Sequence, residues 1–383
     1  MKKSISLLLI LLLSFSVVLF TGCGTVNDTE VSVLWAEEAT TINPNSLLNS
    51  MDRAMYIEKV SHVSYGAKGD ADTQLQQAKD AVDKGCAVLV VELISPLNAA
   101  EIVDYAKAKN IPVVFINTNQ LVPQSVVSGY DKCAVVTADM TTIAEVKGRM
   151  TADYVKANFK KLDKNKDGKI TYYAYGLGLI STLAVQKAND LLKTEDYKVK
   201  DADKNEINTS LELADVGLID AITGIDPTTF ELILTADDVT AFEVLKKLQE
   251  KDYNTDKLTT QFVPVMTVGN SMDYKAYVAA QGKENFEANK YLVDLTGIKE
   301  KDLEETLAEM IYTTGNVIST GRLSGTVIAD DDAIAGAVAQ MVRNLVKGKD
   351  VMDGVASKVK EGETPSVSVD GQNVLVRYIP LTK

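Results

Sequence analysis

Apolar and polar residues recur along this chain in two rhythms, and the change from one to the other marks its elements. Short runs rich in apolar and β-branched residues read as strands: Val31–Trp35, Val60–Tyr65, Ala87–Leu93, Pro112–Asn117 and Ala134–Ala138. The run Ala87–Leu93 is almost entirely apolar, as a strand covered on both faces should be. Between the runs the period lengthens to that of a helix. Residues Asp72–Lys84 place Leu75, Ala78 and Val82 on one face and stop at Gly85, a residue suited to closing a helix. Ala99–Lys109 forms the next helix. The alternation then repeats with helix Ile143–Phe159, strand Ile170–Gly176, helix Thr182–Leu192, strand Glu231–Thr235, helix Val239–Glu250 and strand Phe262–Val268. A strand over Gly325–Ile328, a helix over Asp332–Lys347 and a hairpin over Ser366–Tyr378 turning at Asp370-Gly371 follow. Residues 272–315 carry no comparable strand pattern and read as a partly helical insertion. Strands alternating with helices predict parallel sheets sandwiched by helices, an α/β fold. Two such series predict two lobes.

The N-terminus changes the picture of where those lobes reside. Lys2 and Lys3 precede an apolar run from about Ile5 to Phe20, which ends at Phe20-Thr21-Gly22-Cys23. Charged residues, an apolar stretch and small residues before a cysteine form an export signal, and this one resembles a bacterial lipoprotein signal with Cys23 as the lipidated residue. An uncleaved anchor is the other reading of the same run. Either way the mature chain lies outside the cytoplasmic membrane, and no later segment approaches spanning length. Residues 24–30 form a polar tether. The roughly 360 residues that follow the signal exceed what one core usually organises. The expected division is 31–138 plus about 331–362 for the first lobe, and 139–330 plus about 363–383 for the second, which carries the insertion.

A net charge of −13 excludes nucleic acid and anionic lipid surfaces as binding partners. The single histidine, His62, and the lack of a cysteine ligand set exclude a zinc site or a histidine-based triad. Neither a nucleophile elbow nor a phosphate loop is present, so an enzyme is not expected. Cys86 and Cys133 each open an apolar run. A disulfide between them suits an oxidising compartment. The intervening strand Pro112–Asn117 favours two free thiols instead.

One stretch carries metal chemistry. Asp163, Asn165 and Asp167 supply oxygens at positions one, three and five of an EF-hand-type loop. Gly168 allows the turn at six, the Lys169 carbonyl stands at seven and the Thr171 hydroxyl at nine. Position twelve, where such loops end in a bidentate Glu, is Ala174. Ca²⁺ takes roughly six to eight oxygens, so a working site needs a carboxylate from elsewhere in the fold. Without one, the stretch is a solvated turn between helix and strand.

Several stretches together carry a resemblance: Asp83-Lys-Gly-Cys-Ala-Val-Leu-Val-Val, Ile111-Pro-Val-Val-Phe-Ile-Asn117, Leu162-Asp-Lys-Asn-Lys-Asp-Gly-Lys-Ile and Asn373-Val-Leu-Val-Arg-Tyr. On these the chain is similar to the periplasmic galactose/glucose-binding proteins, sugar receptors of ABC importers and chemotaxis. The match covers roughly Asp72–Val268 and Gly325–Tyr378. The resemblance implies a two-lobed type I periplasmic-binding-protein fold and a structural Ca²⁺ completed by a distant Glu, which falls on Glu231. It also implies a sugar-bonding Asn at Asn117 and another binding position at Asp237. The remaining sugar set departs from the family. Its Asp/Arg clamp falls on Ser181 and Val185 and its nearby His on about Leu179. The carboxylate after the strand Phe262–Val268 becomes Gly269, with Asn270 adjacent, and a later Asn becomes Ala329. The first strand's Asp and aromatic fall on about Thr40 and Ile42. Buried hydroxyls left without partners cost about 1–3 kcal/mol each, so glucose or galactose held in the family's manner is not expected.

Three further residues stand at predicted strand ends, where ligands collect in such sheets. Trp35 either stacks on a ligand or packs in the core. Glu37 and Asp139 either line the cleft or are solvated loop acids. With Asp237 they favour a polyol, an amine or a cation over an anion. The expected function is a lipid-anchored, extracytoplasmic solute-binding protein that passes a small, carbohydrate-like ligand to an ABC permease or a membrane sensor. The alternative is a relative that has lost sugar binding and serves as an interaction module, with the 272–315 insertion engaging a partner.

Overall fold

The computed structural model describes residues 30–37, 47–117, 122–176, 178–200, 205–214, 226–255, 261–269, 271–272, 312–313, 322–357 and 365–382. Cys23, Asn270, Thr40, Ile42 and nearly all of the 272–315 segment lie outside them.

Two sheets organise these residues. The first has seven strands, in the spatial order Val367–Asp370, Asn373–Arg377, Cys133–Asp139, Val113–Ile116, Val88–Glu92, Val31–Trp35 and His62–Gly66. All neighbours pair in parallel except the hairpin at one edge. Side chains alternate across this sheet, as successive residues of a strand must. Val31, Val33, Val88, Val90, Val114 and Ile116 face one core with helices Leu47–Glu58 and Asp331–Val346. Leu34, Leu89, Val91, Val113 and Phe115 face the other with helices Ala71–Asp83 and Ala99–Ala108. Each such fully buried side chain contributes on the order of 1.5–3 kcal/mol. Cys86 lies just before strand Val88–Glu92 and Cys133 is the first residue of Cys133–Asp139, the two strands on either side of Val113–Ile116. Both are buried free thiols, and burial pushes them up to about 11 and about 12.

The second sheet has six strands, ordered Ile379–Thr382, Gly325–Ile328, Val265–Val268, Leu232–Thr235, Ile170–Tyr175 and Leu211–Leu213. Helices Ile143–Leu162 and Leu179–Leu192 pack on one face and Asp238–Gln249 on the other. No helix among the described residues is long and apolar enough to cross a membrane.

Several elements differ from the sequence-based reading, the short helix Gln124–Ser128 and the strand Leu211–Leu213 among them. The helix Leu47–Glu58 was not expected, although Leu47, Leu48, Met51 and Met55 are all buried at helical spacing. Residues 363–383 were assigned to the second lobe, yet the hairpin Val367–Asp370/Asn373–Arg377 extends the first sheet. Val374 and Val376 are buried there, and the backbone of Asn373–Arg377 pairs with Cys133–Asp139. Only Ile379–Thr382 joins the second sheet, antiparallel at its edge, where Pro380 is tolerated.

The chain therefore passes between sheets three times, through Asp139–Thr142, Ala329–Asp330 and Tyr378. Two contacts pin the outer crossings together. Arg377 Nη2 lies 3.1 Å from Glu145 Oε2, and the Tyr378 N–H donates to Thr142 Oγ1 at 3.1 Å.

Candidate functional site

The loop after helix Ile143–Leu162 is closed by its own side chains. Asp163 accepts from the N–H groups of Asp167 (3.1 Å) and Gly168 (3.2 Å). Asn165 Oδ1 accepts from Asp167 N (3.0 Å), and Asp167 Oδ1 from Lys169 N (2.8 Å). Gly168 sits at φ +84°, in the left-handed region that glycine enters at no steric cost. These bonds wrap the backbone around a set of oxygens.

Glu231 completes the wrapping from another strand. It is 5% exposed and precedes Leu232–Thr235, which lies next to Ile170–Tyr175 in the second sheet. Its Oε1 accepts from Lys164 N at 2.6 Å and its Oε2 from Thr171 N at 3.0 Å. Its own N–H donates to the Thr171 carbonyl at 2.7 Å. The structure thus brings Glu231 to both ends of the 163–171 loop. The surrounding donors are oxygens of carboxylates, an amide and the backbone, with no sulfur or imidazole, which is the chemistry of a hard cation. Among the described residues no three acidic, His or Cys side chains converge tightly enough to make a metal cluster by themselves. Any cation held here would need Asn165 and backbone carbonyls beside the carboxylates.

At the C-terminal ends of the first sheet's strands, Glu92 is the central acid. Its Oε2 accepts from Ala36 N (3.1 Å) and its Oε1 from Asn117 Nδ2 (2.9 Å), so it ties three strand ends together. Asn117 has φ +49° and its side chain is exposed. Asp331 lies close by. Burial, then Asp330, Asp332 and Glu92, push its carboxyl up to about 7. Asp332 is engaged by Ser50 (2.6 Å) and Arg53 (2.7 Å), and Asp330 caps its helix through Ala333 N (2.9 Å). Sequence reading missed Glu92 and Asp331. Glu92 was visible as the one charge in an apolar run, while Asp331 reads simply as one of three helix-opening acids.

The remaining expected residues divide. Glu37 is exposed beside Gly69. Asp139 ends its strand, and its Oδ1 is taken up by Thr141 N and Oγ1. Asp237 is an exposed helix cap accepting from Thr240 N at 2.8 Å. Trp35 is not presented for stacking. It is 5% exposed, belongs to the core and donates its indole N–H to Ser64 Oγ (3.2 Å). Ser181 is likewise buried, because its position on helix Leu179–Leu192 points inward. The residues that this helix start exposes are Leu179, at 75%, with Ile180 and Leu183. The side chains exposed at this helix start are thus apolar, while Ser181, one of the two positions where the resemblance puts a polar clamp, is turned inward. A Cβ on Gly269 would lie 2.6 Å from Asp238 Oδ2, so the Asp238 carboxylate of the adjacent helix packs against this glycine. Lys147 is fully buried and donates to the Thr235 carbonyl at 2.6 Å. Burial pulls it down to about 8, partly opposed by Asp237.

Comparison with known proteins places this geometry among relatives. Residues 51–350 match the family model described as "Periplasmic binding protein domain". The D-galactose/methyl-galactoside binding periplasmic protein MglB of Haemophilus influenzae is 26% identical over 327 residues, covering 83% of this chain and 84% of that protein. A mutant of the XylFII–LytSN complex shares the fold with a TM-score of 0.51 at 11% identity, covering 92% of this chain and 97% of that one. GanP, a glucose-galactose binding protein from Geobacillus stearothermophilus, aligns with a TM-score of 0.42 at 12% identity, over 93% and 98% of the two chains.

Proposed function

The chain belongs to the periplasmic binding protein family, and from that premise we propose that it captures a small, carbohydrate-like ligand between its two lobes. It is a solute-binding protein rather than an enzyme. It delivers the ligand to an ABC permease or a membrane sensor, tethered to the extracytoplasmic face of the membrane through lipid on Cys23. The observation that carries this reading is the pair of helix-flanked sheets joined by three crossings, with Glu92, Asn117 and Asp331 gathered at the strand ends. Ligands of open α/β sheets bind at such ends. A ligand that touches both lobes shifts the equilibrium toward the closed form.

Specificity differs from that of the galactose-binding relative. The exposed Leu179 and Ile180 and the buried Ser181 offer no bidentate grip on sugar hydroxyls. The acidic strand ends favour hydrogen-bond donors over anions.

A structural Ca²⁺ belongs to this reading. Asp163, Asn165, Asp167, the Lys169 carbonyl, Thr171 and Glu231 would hold it. The ion would neutralise their carboxylates and tie the loop to the neighbouring strand.

The test is a thermal-shift screen, with calcium present, against pentoses, hexoses, polyols and autoinducer-type sugars. Ligand at 100 times its Kd adds about 2.7 kcal/mol to stability, which moves the melting point by several degrees. Silence across the panel from a cooperatively melting protein rejects the receptor reading. It favours the second one, an interaction module, for which the exposed Leu179, Ile180 and Leu183 supply an apolar contact face.

A further inference from the structure

We propose that the first sheet carries a second small-molecule site, distinct from the strand-end cleft, for a compact apolar ligand bearing an ammonium or hydroxyl head. The site is a groove of about 250 Å³ on the face that also carries helices Ala71–Asp83 and Ala99–Ala108. Its floor is formed by Val135 on strand Cys133–Asp139 and Leu375 on strand Asn373–Arg377. Register places Leu375 opposite Thr137 and Asn373 opposite Val135, so these four side chains share one face. Val374 and Val376 on the opposite face are buried, whereas Asn373 and Leu375 are only half-buried. The groove is the part of this sheet face that its helices leave open.

Thr137 marks it as a site rather than a gap in packing. The residue is 8% exposed and interrupts an apolar run, yet its hydroxyl has no hydrogen-bond partner among the described residues. Valine would fill the same strand position without stranding a polar group. A bound head group gives the hydroxyl its partner. The other polar groups define what that head group is. Asp139 commits one oxygen to Thr141, and no bond to the other is seen among the described residues. Asp370 is exposed at the far end. Gln124 and Asn373 are engaged with each other at 3.2 Å. None of the lining residues is basic. Carboxylates without counter-charge repel an anion and attract a cation or a donor. Because Asp139, Met140 and Thr141 line the groove and form the first crossing between sheets, an occupant also touches the hinge.

Three probes of one shape separate the charge classes: cyclohexylamine, cyclohexanol and cyclohexanecarboxylate, each followed by saturation-transfer NMR with the purified protein. The amine should bind best, the alcohol more weakly and the carboxylate not at all. Leu375→Trp, which fills the groove from a half-exposed position, should abolish the signal. Thr137→Val should weaken amine and alcohol at least threefold without lowering the melting point, since it removes a buried hydroxyl that lacks a partner among the described residues. Equal binding of the carboxylate overturns the proposal. So does undiminished binding to a folded Leu375→Trp variant. Binding by none of the three overturns it too and leaves ordered water as the partner of Thr137. The folded Leu375→Trp variant keeps the two readings apart, because a ligand of the strand-end cleft should still stabilise it in the sugar screen.

Discussion

Glu231 holds both ends of the 163–171 loop, one carboxylate oxygen 2.6 Å from Lys164 N and the other 3.0 Å from Thr171 N. A buried carboxylate satisfied by two backbone amides of a loop fixes that loop's entry and exit with a single side chain. Glu231→Gln keeps the size but turns a donor group toward one of the amides. The expected loss is about 1–3 kcal/mol in chelator, measured by chemical denaturation. In calcium the wild type should gain stability and the variant should gain little. An identical calcium response in the two proteins would show that Glu231 serves the turn alone.

Gly269 and Asp238 are the second coupled pair. The glycine has φ +137°, and a Cβ would press on the Asp238 carboxylate at 2.6 Å. Gly269→Ala should therefore destabilise by about 1–3 kcal/mol from backbone strain, with a further steric cost. Adding Asp238→Ala should recover the steric part but not the backbone part. Thermal melts of the two single variants and the double variant separate the contributions. Strictly additive losses would mean that the two residues do not compete for space.

These two pairs show what the sequence could and could not disclose. The metal-type loop was legible from spacing, because Asp163, Asn165, Asp167 and Gly168 are local and their roles are set by backbone geometry. Glu231, 60 residues beyond Thr171, was reachable only through resemblance, since nothing local marks it. The strands were legible because buried parallel strands are apolar runs. Which sheet each would join was not: Asn373–Arg377 carries the same pattern in either lobe, and pairing with Cys133–Asp139 decides it. Trp35 and Ser181 stand near strand ends in the sequence, but one position of rotation or alternation turns each inward. Glu92 and Asp331 acquire their meaning only when the fold brings them near enough for their charges to interact.

The Arg377–Glu145 pair links the last strand of the first sheet to the helix that opens the second lobe. Burial pushes the Glu145 carboxyl up, but the hydrogen bond and charge of Arg377 outweigh it and hold the group below its ordinary 4.5. A depressed carboxyl stabilises the fold above its unfolded value and loses that contribution as pH falls through its folded value. Glu145→Gln should cost about 1 kcal/mol at neutral pH, and the difference from wild type should vanish as pH falls below 4.5 toward the lower folded value. Denaturant titrations at several pH values check this. A gap that persists into acid would assign the effect to packing rather than charge.

Asp331 gives the opposite sign. Its carboxyl is pushed from an ordinary 3.8 up to about 7 by burial and by Asp330, Asp332 and Glu92. Tyr378, raised first by its own burial and then by Asp331, packs nearby, and among these neighbours the other ionised groups are acids. The protonated form therefore suits the folded state, so this group's contribution is complete below 3.8 and is lost as pH rises toward 7. Asp331→Asn should remove that dependence and stabilise the protein at pH 8 by on the order of 2 kcal/mol. The gain should shrink steadily toward pH 4. The same substitution lowers the negative charge at the strand ends, so a ligand held by its donors should bind the variant less tightly at pH 8. Melting profiles of the two proteins from pH 4 to pH 8 measure the first effect. A variant that parallels the wild type throughout would mean that Asp331 is ionised in the fold across that whole range.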